Sequence, residues 1–341
     1  MSASRSEASA EIVDLLVIGA GPNGLSCALE AVKAGFRVVV VDKGCICNSL
    51  FHYPSQMTFF TSADLLEIGG IPFACPNPKP SRAEALQYYR RVAEHYRLDI
   101  RQYMRVAGLE GTDGNFGVQI VDRFGRATLL RARKIVVAIG YFDQPNLLSI
   151  PGEELGKLQH YYFEAHPFSN QEVLVVGGKN SAAIAALELW RNGAHVTLVH
   201  RGDAMHNHVK YWIKPEIENR FKHGQIKAYF NSTLVEITPD AAILETPKGR
   251  VTLANDFVFA LTGYHPDFSF LEKLGIEIKG EDRMPSFDPV SLESNVPGIY
   301  LAGVIVAGRR TNEVFIENGR FHGKQIAVAL ESALGRDRAN C

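Results

Sequence analysis

The chain is poor in cysteine and tryptophan, with five Cys and two Trp in 341 residues. Its cysteines (Cys27, Cys45, Cys47, Cys75 and Cys341) are odd in number and never spaced C-x-x-C, so neither a disulfide framework nor a metal site is indicated. Neither sign of charge is in excess. Lys+Arg at 36 against Asp+Glu at 37 leaves a formal net charge of -1, so no global basic field exists to hold a nucleic acid or an anionic membrane. Long hydrophobic runs are also missing. The longest near-apolar stretch, Gly298 to Gly308, falls well short of the ~18 residues of a spanning helix. Residues 1–11 are Ser/Ala-rich and lack the ~7–15-residue apolar centre of a secretory signal, so they read as a disordered lead-in to a cytoplasmic enzyme.

What the chain does have is glycine, 30 residues, and a hydrophobic share of 46%, enough to bury a core. At roughly 150 residues per domain the length predicts two domains. Ile12 to Ile18 is an apolar, β-branched strand signal that ends at Gly19-Ala-Gly-Pro-Asn-Gly24. Helix-period apolar residues follow from Leu25 to Ala34, Gly35 stops them, and Phe36 to Asp42 reads as a second buried strand. The same order returns later: strand Val173 to Val176, turn Gly177-Gly-Lys-Asn-Ser-Ala182, helix Ala183 to Asn192, stop Gly193, strand His195 to His200. Each βαβ unit is followed by a buried strand that runs into glycine, Arg133 to Gly140 and Asp256 to Gly263. Another strand, Gly298 to Gly303, and a helix from Asn318 to Leu334 close the chain. The repetition reads as an internal duplication, an α/β fold of two Rossmann-like, three-layer dinucleotide-binding domains.

In the first turn Gly19, Gly21 and Gly24 form G-x-G-x-x-G between a strand and a helix. The first glycine permits the turn, the second lets backbone approach a pyrophosphate, and the third lets helix and strand pack closely. Pro22 and Asn23 sit in the same turn, whose N–H groups and helix dipole favour an anion. Asp42 closes the next strand, where a carboxylate accepts hydrogen bonds from ribose hydroxyls, with Lys43 beside it. The second turn departs from this rule, with Lys179 in the middle and Ala182 at the last glycine position. At the end of the following strand His200-Arg201 replaces the acid, and an arginine there can pair with a 2′-phosphate, set against a plain solvated strand-end charge. One acid-type and one arginine-type site predict two nucleotides, FAD at the first and NADPH at the second, with Gly177, Gly178, Lys179, Asn180, Ser181, Ala182, His200 and Arg201 contacting NADPH. The chemistry is then hydride transfer onto a flavin.

At this point a family resemblance carries further. Gly19-Ala-Gly-Pro-Asn-Gly24, Val136-Val-Ala-Ile-Gly140, Gly177-Gly-Lys-Asn-Ser181 and His200-Arg-Gly202 resemble the low-molecular-weight thioredoxin-reductase-like flavoproteins. Tyr53-Pro-Ser-Gln-Met-Thr-Phe-Phe60, Leu66-Glu-Ile-Gly69, Gly263-Tyr-His-Pro-Asp267 and Phe315-Ile-Glu-Asn-Gly-Arg-Phe-His-Gly323 are similar to the bacillithiol disulfide reductases within that group. The likeness implies a homo-oligomer, dimer or tetramer, that takes hydride from NADPH and reduces a small thiol disulfide. It implies an FAD domain (12–150 and 264–335) interrupted by an NADPH domain (151–263). It adds Tyr53, Gln56, Phe60 and Thr61 beside the flavin, Gly140 and Gly303 at strand ends, and Glu313 and Phe315 in the return segment. Three departures matter. No cysteine lies between Cys75 and Cys341, so the dithiol relay of thioredoxin reductases is missing and thioredoxin is not expected as a direct substrate. Asn23 stands where bacillithiol disulfide reductases often carry a cysteine proposed to be redox-active. Gly303-Val304 stands where the wider group commonly has Gly-Asp.

The catalytic group is not legible. Cys45 and Cys47 form a C-x-C pair next to the expected FAD ribose strand and are candidates for a thiol cycle, set against plain loop thiols. His322 is a candidate acid, set against a structural histidine. His206-Asn-His208 has metal-type residues without a third ligand nearby and reads as a solvated loop. Competing functions on the same scaffold are a ferredoxin or flavodoxin reductase, for which only the short basic pairs Arg90-Arg91 and Arg309-Arg310 speak, and a flavin monooxygenase. The latter's His166-Pro167 lacks the glycine of that signature. A flavin-binding sensor would have no need of a hydride donor.

Overall fold

A computed structural model describes residues 12–335, so the expected disordered lead-in and Cys341 lie outside the described residues. The chain divides into two compact units. The first comprises the chain up to Phe51, Met57–Gln144 and the chain from Tyr264 on, and the second His52–Gln56 and Pro145–Gly263.

The first unit opens with β1 (Ile12–Ile18), α1 (Pro22–Lys33) and β2 (Val38–Val41), followed by the short α2 (Asn48–Phe51). Pro22 at the first turn of α1 has the fixed φ a helix start needs and lacks only an N–H that would be unpaired there. Helix α3 (Arg82–His95) starts in a reciprocal cap, in which the Ser81 hydroxyl accepts from Glu84 N and the Glu84 carboxylate accepts from Ser81 N. Then come β3 (Asp99–Arg101), β4 (Met104–Thr112), β5 (Asn115–Asp122) and the long β6 (Ala127–Val137). β3, β2, β1 and β6 run parallel in that order. β6 changes partner on its other edge. Ala127 to Ala132 pair antiparallel with β5, completing a meander, and Ile135 to Val137 pair parallel with a strand from the chain's end. At the changeover Lys134 is buried, its charge neutralised by Asp113 at 2.7 Å.

The second unit repeats the plan. It holds β7 (Leu158–Gln159), β8 (Glu172–Val176), α4 (Asn180–Arg191), β9 (His195–Val199), α5 (Lys214–Lys222) and β10 (Lys227–Tyr229). A meander of β11 (Thr233–Ile237), β12 (Ala241–Thr246) and β13 (Gly249–Ala254) leads to β14 (Phe257–Ala260). Its parallel sheet has the order β10-β9-β8-β14-β7. The alternation of β8 shows why the strand reads as an unbroken apolar run: Val173 and Val175 pack with Ala182, Ala186 and Leu189 of α4, while Leu174 and Val176 pack with Leu234, Ala242 and Leu244 of the meander. Helix, sheet and meander are the three layers. Each fully buried Val or Leu stabilises such a sandwich by about 1.5–3 kcal/mol.

Back in the first unit, α6 (Phe268–Lys273), the hairpin β15 (Ile278–Lys279) and β16 (Met284–Pro285), and β17 (Ile299–Leu301) precede a 3-10 turn over Gly303–Ala307. The single terminal helix expected from Asn318 is two: α7 (Ile316–Gly319) and α8 (His322–Leu334). The break is fixed from outside the segment. The Ser26 hydroxyl donates to Arg320 O at 2.6 Å, and the Arg320 guanidinium donates to the carbonyls of Asp64 and Glu67.

Candidate functional site

In both units the chain leaves the first strand of its βαβ pair, β1 or β8, steps outward to β2 or β9, and later returns on the other side as β6 or β14. The crevice at such a reversal, beyond the carboxyl ends of the strands, is where open α/β sheets bind ligands. Both glycine turns lie there.

At the first turn the three glycines differ in what confines them. Gly19 has φ +111°, and a Cβ on it would lie 2.4 Å from Ala138 O; a Cβ on Gly24 would lie 2.0 Å from Gly19 O. Both are required by the packing of strand against helix. A Cβ on Gly21, by contrast, would meet no protein atom within 4 Å, so only the middle glycine presents backbone to open space. Gly21 is the N-cap of α1, no side chain caps the helix, and its first turn holds no acid, which leaves N–H groups and the positive end of the dipole for an anion. Asp42 is held against this turn, its Oδ2 accepting from Ala20 N and its Oδ1 from Gly44 N, both at 2.7 Å. Burial raises its pKa, opposed by those two N–H groups. Each carboxylate oxygen keeps a second lone pair for a hydroxyl donor. Lys43 is paired with Asp143 at 2.9 Å.

Asn23 lies between the strand-end turn and α7: a Cβ on Gly303 would lie 2.6 Å from its Nδ2, and one on Gly319 2.9 Å from its Oδ1. Its Oδ1 is buried and, among the described residues, accepts no hydrogen bond. Gly303 has φ +77°, and its N–H donates to His322 Nδ1 at 3.0 Å. That bond requires an unprotonated Nδ1, and burial lowers the pKa of His322 in the same sense. The neutral ring thus anchors the turn. Thr61 donates to the Glu317 carboxylate, joining the segment after Phe60 to α7. Asn318 accepts from Phe315 N at 2.7 Å and donates to Glu313 O at 2.8 Å, which fixes the start of α7; the rings of Phe60 and Phe315 are exposed. Gly140 has φ +69° with open space around it. Tyr53 and Gln56 fall in the short segment that groups with the second unit, where Ser55 N donates to Phe163 O at 2.8 Å.

Cys45 and Cys47 follow Asp42, both as free thiols. Cys47 is buried at φ 56°, its N–H donating to Ala20 O, and desolvation followed by the Asp42 charge pushes its thiol well above the ordinary range. Desolvation also raises Cys45, which is half-buried. Neither is a thiolate at neutral pH, the form that attacks sulfur. Cys27 is buried within α1, its thiol pushed up to about 12 by desolvation.

The second turn is built alike. Gly177 has φ +150°, and a Cβ on it would lie 2.7 Å from Leu261 O, the residue after β14, as Ala138 follows β6. Ala182, at the third-glycine position, is buried against it, so a methyl group is accommodated there. A Cβ on Gly178 would lie 2.4 Å from the His200 ring, which covers the turn. Lys179 is the N-cap of α4 in extended conformation, and Ser181 and Arg201 are exposed. Asn180 Oδ1 accepts from Lys210 N at 2.9 Å and its Nδ2 donates to His208 O at 3.1 Å.

Sequence reasoning did not find Gly319, Asn318, Glu317 or Ser26. A signal existed in the two glycines four apart, Gly319 and Gly323: a Cβ on Gly323 would lie 2.5 Å from Ser26 O, so α8 meets α1 backbone to backbone.

Residues 16–303 match the model of the pyridine nucleotide-disulphide oxidoreductase family. The bacilliredoxin reductase of Bacillus subtilis (strain 168) is 42% identical over 316 residues, 92% of this chain and 96% of that protein. The solved structure of the bacillithiol disulfide reductase from Bacillus cereus superposes with a TM-score of 0.92 at 42% identity, covering 95% of this chain and 100% of that one. For the fold alone, the thioredoxin reductase of T. acidophilum gives a TM-score of 0.74 at 22% identity, over 94% of this chain and 98% of that one, in agreement with the expected thioredoxin-reductase-like α/β architecture. By these likenesses the chain is a flavin-dependent disulfide oxidoreductase and belongs to the pyridine nucleotide-disulphide oxidoreductase family.

Proposed function

We propose that this protein uses NADPH and FAD to reduce a low-molecular-weight thiol disulfide, bacillithiol disulfide being the foremost candidate. The observation that carries the reading is the unlike endings of two alike sites, Asp42 after β2 and His200-Arg201 after β9, in a chain without C-x-x-C. The names of the relatives from Bacillus subtilis and Bacillus cereus support the substrate class.

FAD fits the first unit. Gly21 offers backbone in open space for a pyrophosphate, Asp42 keeps lone pairs for ribose hydroxyls, and the orphaned Asn23 Oδ1 calls for a donor. Gly19, Pro22, Gly24 and Lys43 complete that end of the site, and Gly140, Gly303, Phe60, Thr61, Glu313 and Phe315 the flavin end, with Tyr53 and Gln56 assigned to it by resemblance. Once bound, the flavin would accept hydride from NADPH and pass an electron pair to the disulfide. The protein's own contribution is binding and orientation: helix N-termini would meet the phosphates, and neutral His322 holds Gly303 in its left-handed turn. A protein acid has little to add, because a departing thiolate has a conjugate acid of pKa about 8.5. Cys45 and Cys47, protonated at neutral pH, are assigned no step. NADPH is assigned to Gly177, Gly178, Lys179, Asn180, Ser181, Ala182, His200 and Arg201. We place the enzyme in the cytoplasm as a homo-oligomer; among the described residues no helix is long and apolar enough to cross a membrane.

Anaerobic titration of the FAD-loaded protein with NADPH and, separately, NADH tests this reading. Bleaching of the flavin absorbance at lower NADPH than NADH is expected, and a flavin that neither nucleotide reduces would overturn it.

A further inference from the structure

We propose that His206, with Lys179, His200, Arg201 and Lys214 about it, forms a proton-linked subsite for the phosphate that distinguishes NADPH from NADH, so that discrimination between them widens as the pH falls. The proposal rests on the reading of the second unit as the pyridine nucleotide site.

The loop carrying His206 is fastened to the glycine turn. His206 N donates to Gly178 O at 2.9 Å, Asn180 grips Lys210 N and His208 O, and Met205 and Val209 are buried in the core beneath α4. The loop is solvated, with His206, Asn207 and His208 all exposed, and it is at the same time fastened to the turn. Within it, His208 N donates to His206 Nδ1 at 3.1 Å, so the neutral ring carries its proton on Nε2, and the two imidazoles meet edge to face at 4.7 Å.

The groups acting on His206 come from the surrounding elements: Lys179 from the turn, His200 from the end of β9, His208 from the loop, and Lys214 from the first residue of α5, while Arg201 and Asp203 act on His200 beside it. Lys214 donates to Asn207 Oδ1 at 3.2 Å and lies 3.9 Å from Glu218. Lys210 lies 6.0 Å from the Trp212 ring. Asp203 and Glu218 are the acids among these groups, so the cluster is net cationic and suits an anion.

Desolvation and then the Lys179, His208 and Lys214 charges hold His206 below the ordinary histidine pKa; His200 is lowered by desolvation, Arg201 and His206. Both are neutral at pH 7. A phosphate monoester carries about -1.5 to -2 charges at that pH. Placed among these groups it reverses the field at His206. The ring then takes one proton from solvent, at Nδ1, releasing the His208 N–H, a cost the new ion pair offsets. NADH carries no such phosphate and draws no proton.

Isothermal titration calorimetry of the FAD-loaded protein with NADP+ and with NAD+, in two buffers of different ionisation enthalpy, tests the proposal. With one linked proton the NADP+ dissociation constant falls by up to tenfold per pH unit, so the NADP+ to NAD+ affinity ratio should rise at least ~5-fold between about pH 8.5 and about pH 6.5. Proton uptake should accompany NADP+ alone. His206→Gln, at an exposed position, should keep the wild-type Tm, abolish the uptake and flatten the ratio. A ratio constant with pH, or a His206→Gln variant with unchanged uptake, would overturn the proposal while leaving the second unit as the nucleotide site. Failure of both nucleotides to bind would overturn it together with the reading beneath it.

Discussion

Substituting alanine at Gly21 and Gly24 separates the folding role of the first turn from its binding role. A Cβ at Gly24 would sit 2.0 Å from Gly19 O, backbone against backbone, so β1 and α1 must part for Gly24→Ala to fold. Overpacking of this kind costs about 1–3 kcal/mol, and the displaced turn is the one that faces the pyrophosphate. At Gly21 the new Cβ would meet nothing within 4 Å, and φ -73° with ψ 173° is a conformation alanine adopts freely. Reduced backbone entropy in the unfolded chain favours Gly21→Ala by about 0.4–1 kcal/mol, and the weaker alanine N-cap works against it by a similar amount. The apo stability of Gly21→Ala should therefore stay within ~1 kcal/mol of wild type while its FAD affinity drops at least tenfold, the equivalent of ~1.4 kcal/mol. Gly24→Ala should lose both. Urea denaturation of the apoproteins and fluorescence titration with FAD measure the two quantities. Wild-type FAD affinity in Gly21→Ala would refute the assignment of the turn, and unchanged apo stability in Gly24→Ala would refute the packing argument.

Asn23→Ala removes a buried oxygen that has no hydrogen-bond partner among the described residues, so the apo Tm should hold or rise while FAD binds more weakly; thermal scans with and without FAD check both directions. His322 is depressed on folding, so its contribution to stability is present above its unfolded pKa of about 6.5 and is lost as the pH falls through the folded value. His322→Leu should cost about 1–3 kcal/mol at neutral pH by orphaning Gly303 N and should flatten the stability profile between about pH 6.5 and pH 5, read by urea melts. Cys45→Ser with Cys47→Ala should retain disulfide reductase turnover, and complete loss would return a thiol cycle to the mechanism. Ser81→Ala, which dismantles the cap of α3, should cost about 1 kcal/mol by the same melts without altering FAD affinity.

The parallel strands and their turns are legible in the sequence because a strand buried on both faces, such as Leu15 to Ile18 or Val173 to Val176, carries a short β-branched apolar run that ends in a glycine turn. Gly19 and Gly24 are legible for a related reason: the constraint on each comes from the fixed geometry of strand, turn and helix. The break between α7 and α8 is not, because it is imposed by Ser26, Asp64 and Glu67, which only the tertiary fold brings to Arg320. The surroundings of Asn23 depend likewise on Gly303 and Gly319, almost the whole chain away. His206-Asn-His208 is the loop it reads as, but its fastening to Asn180 and Gly178 shows only in the fold. Residue types announce a site when local geometry makes it, and stay silent when distant segments do.

The central claim, that electrons pass from NADPH to a small disulfide without a protein dithiol, is tested most directly by anaerobic stopped-flow reoxidation. FAD-loaded protein reduced by one equivalent of NADPH is mixed with bacillithiol disulfide, and in parallel with ferredoxin. Flavin absorbance should return with bacillithiol disulfide, two thiols appearing per NADPH consumed, and should do so equally in the Cys45→Ser, Cys47→Ala protein. A flavin that stays reduced with every small disulfide, yet is rapidly reoxidised by ferredoxin, would contradict the account.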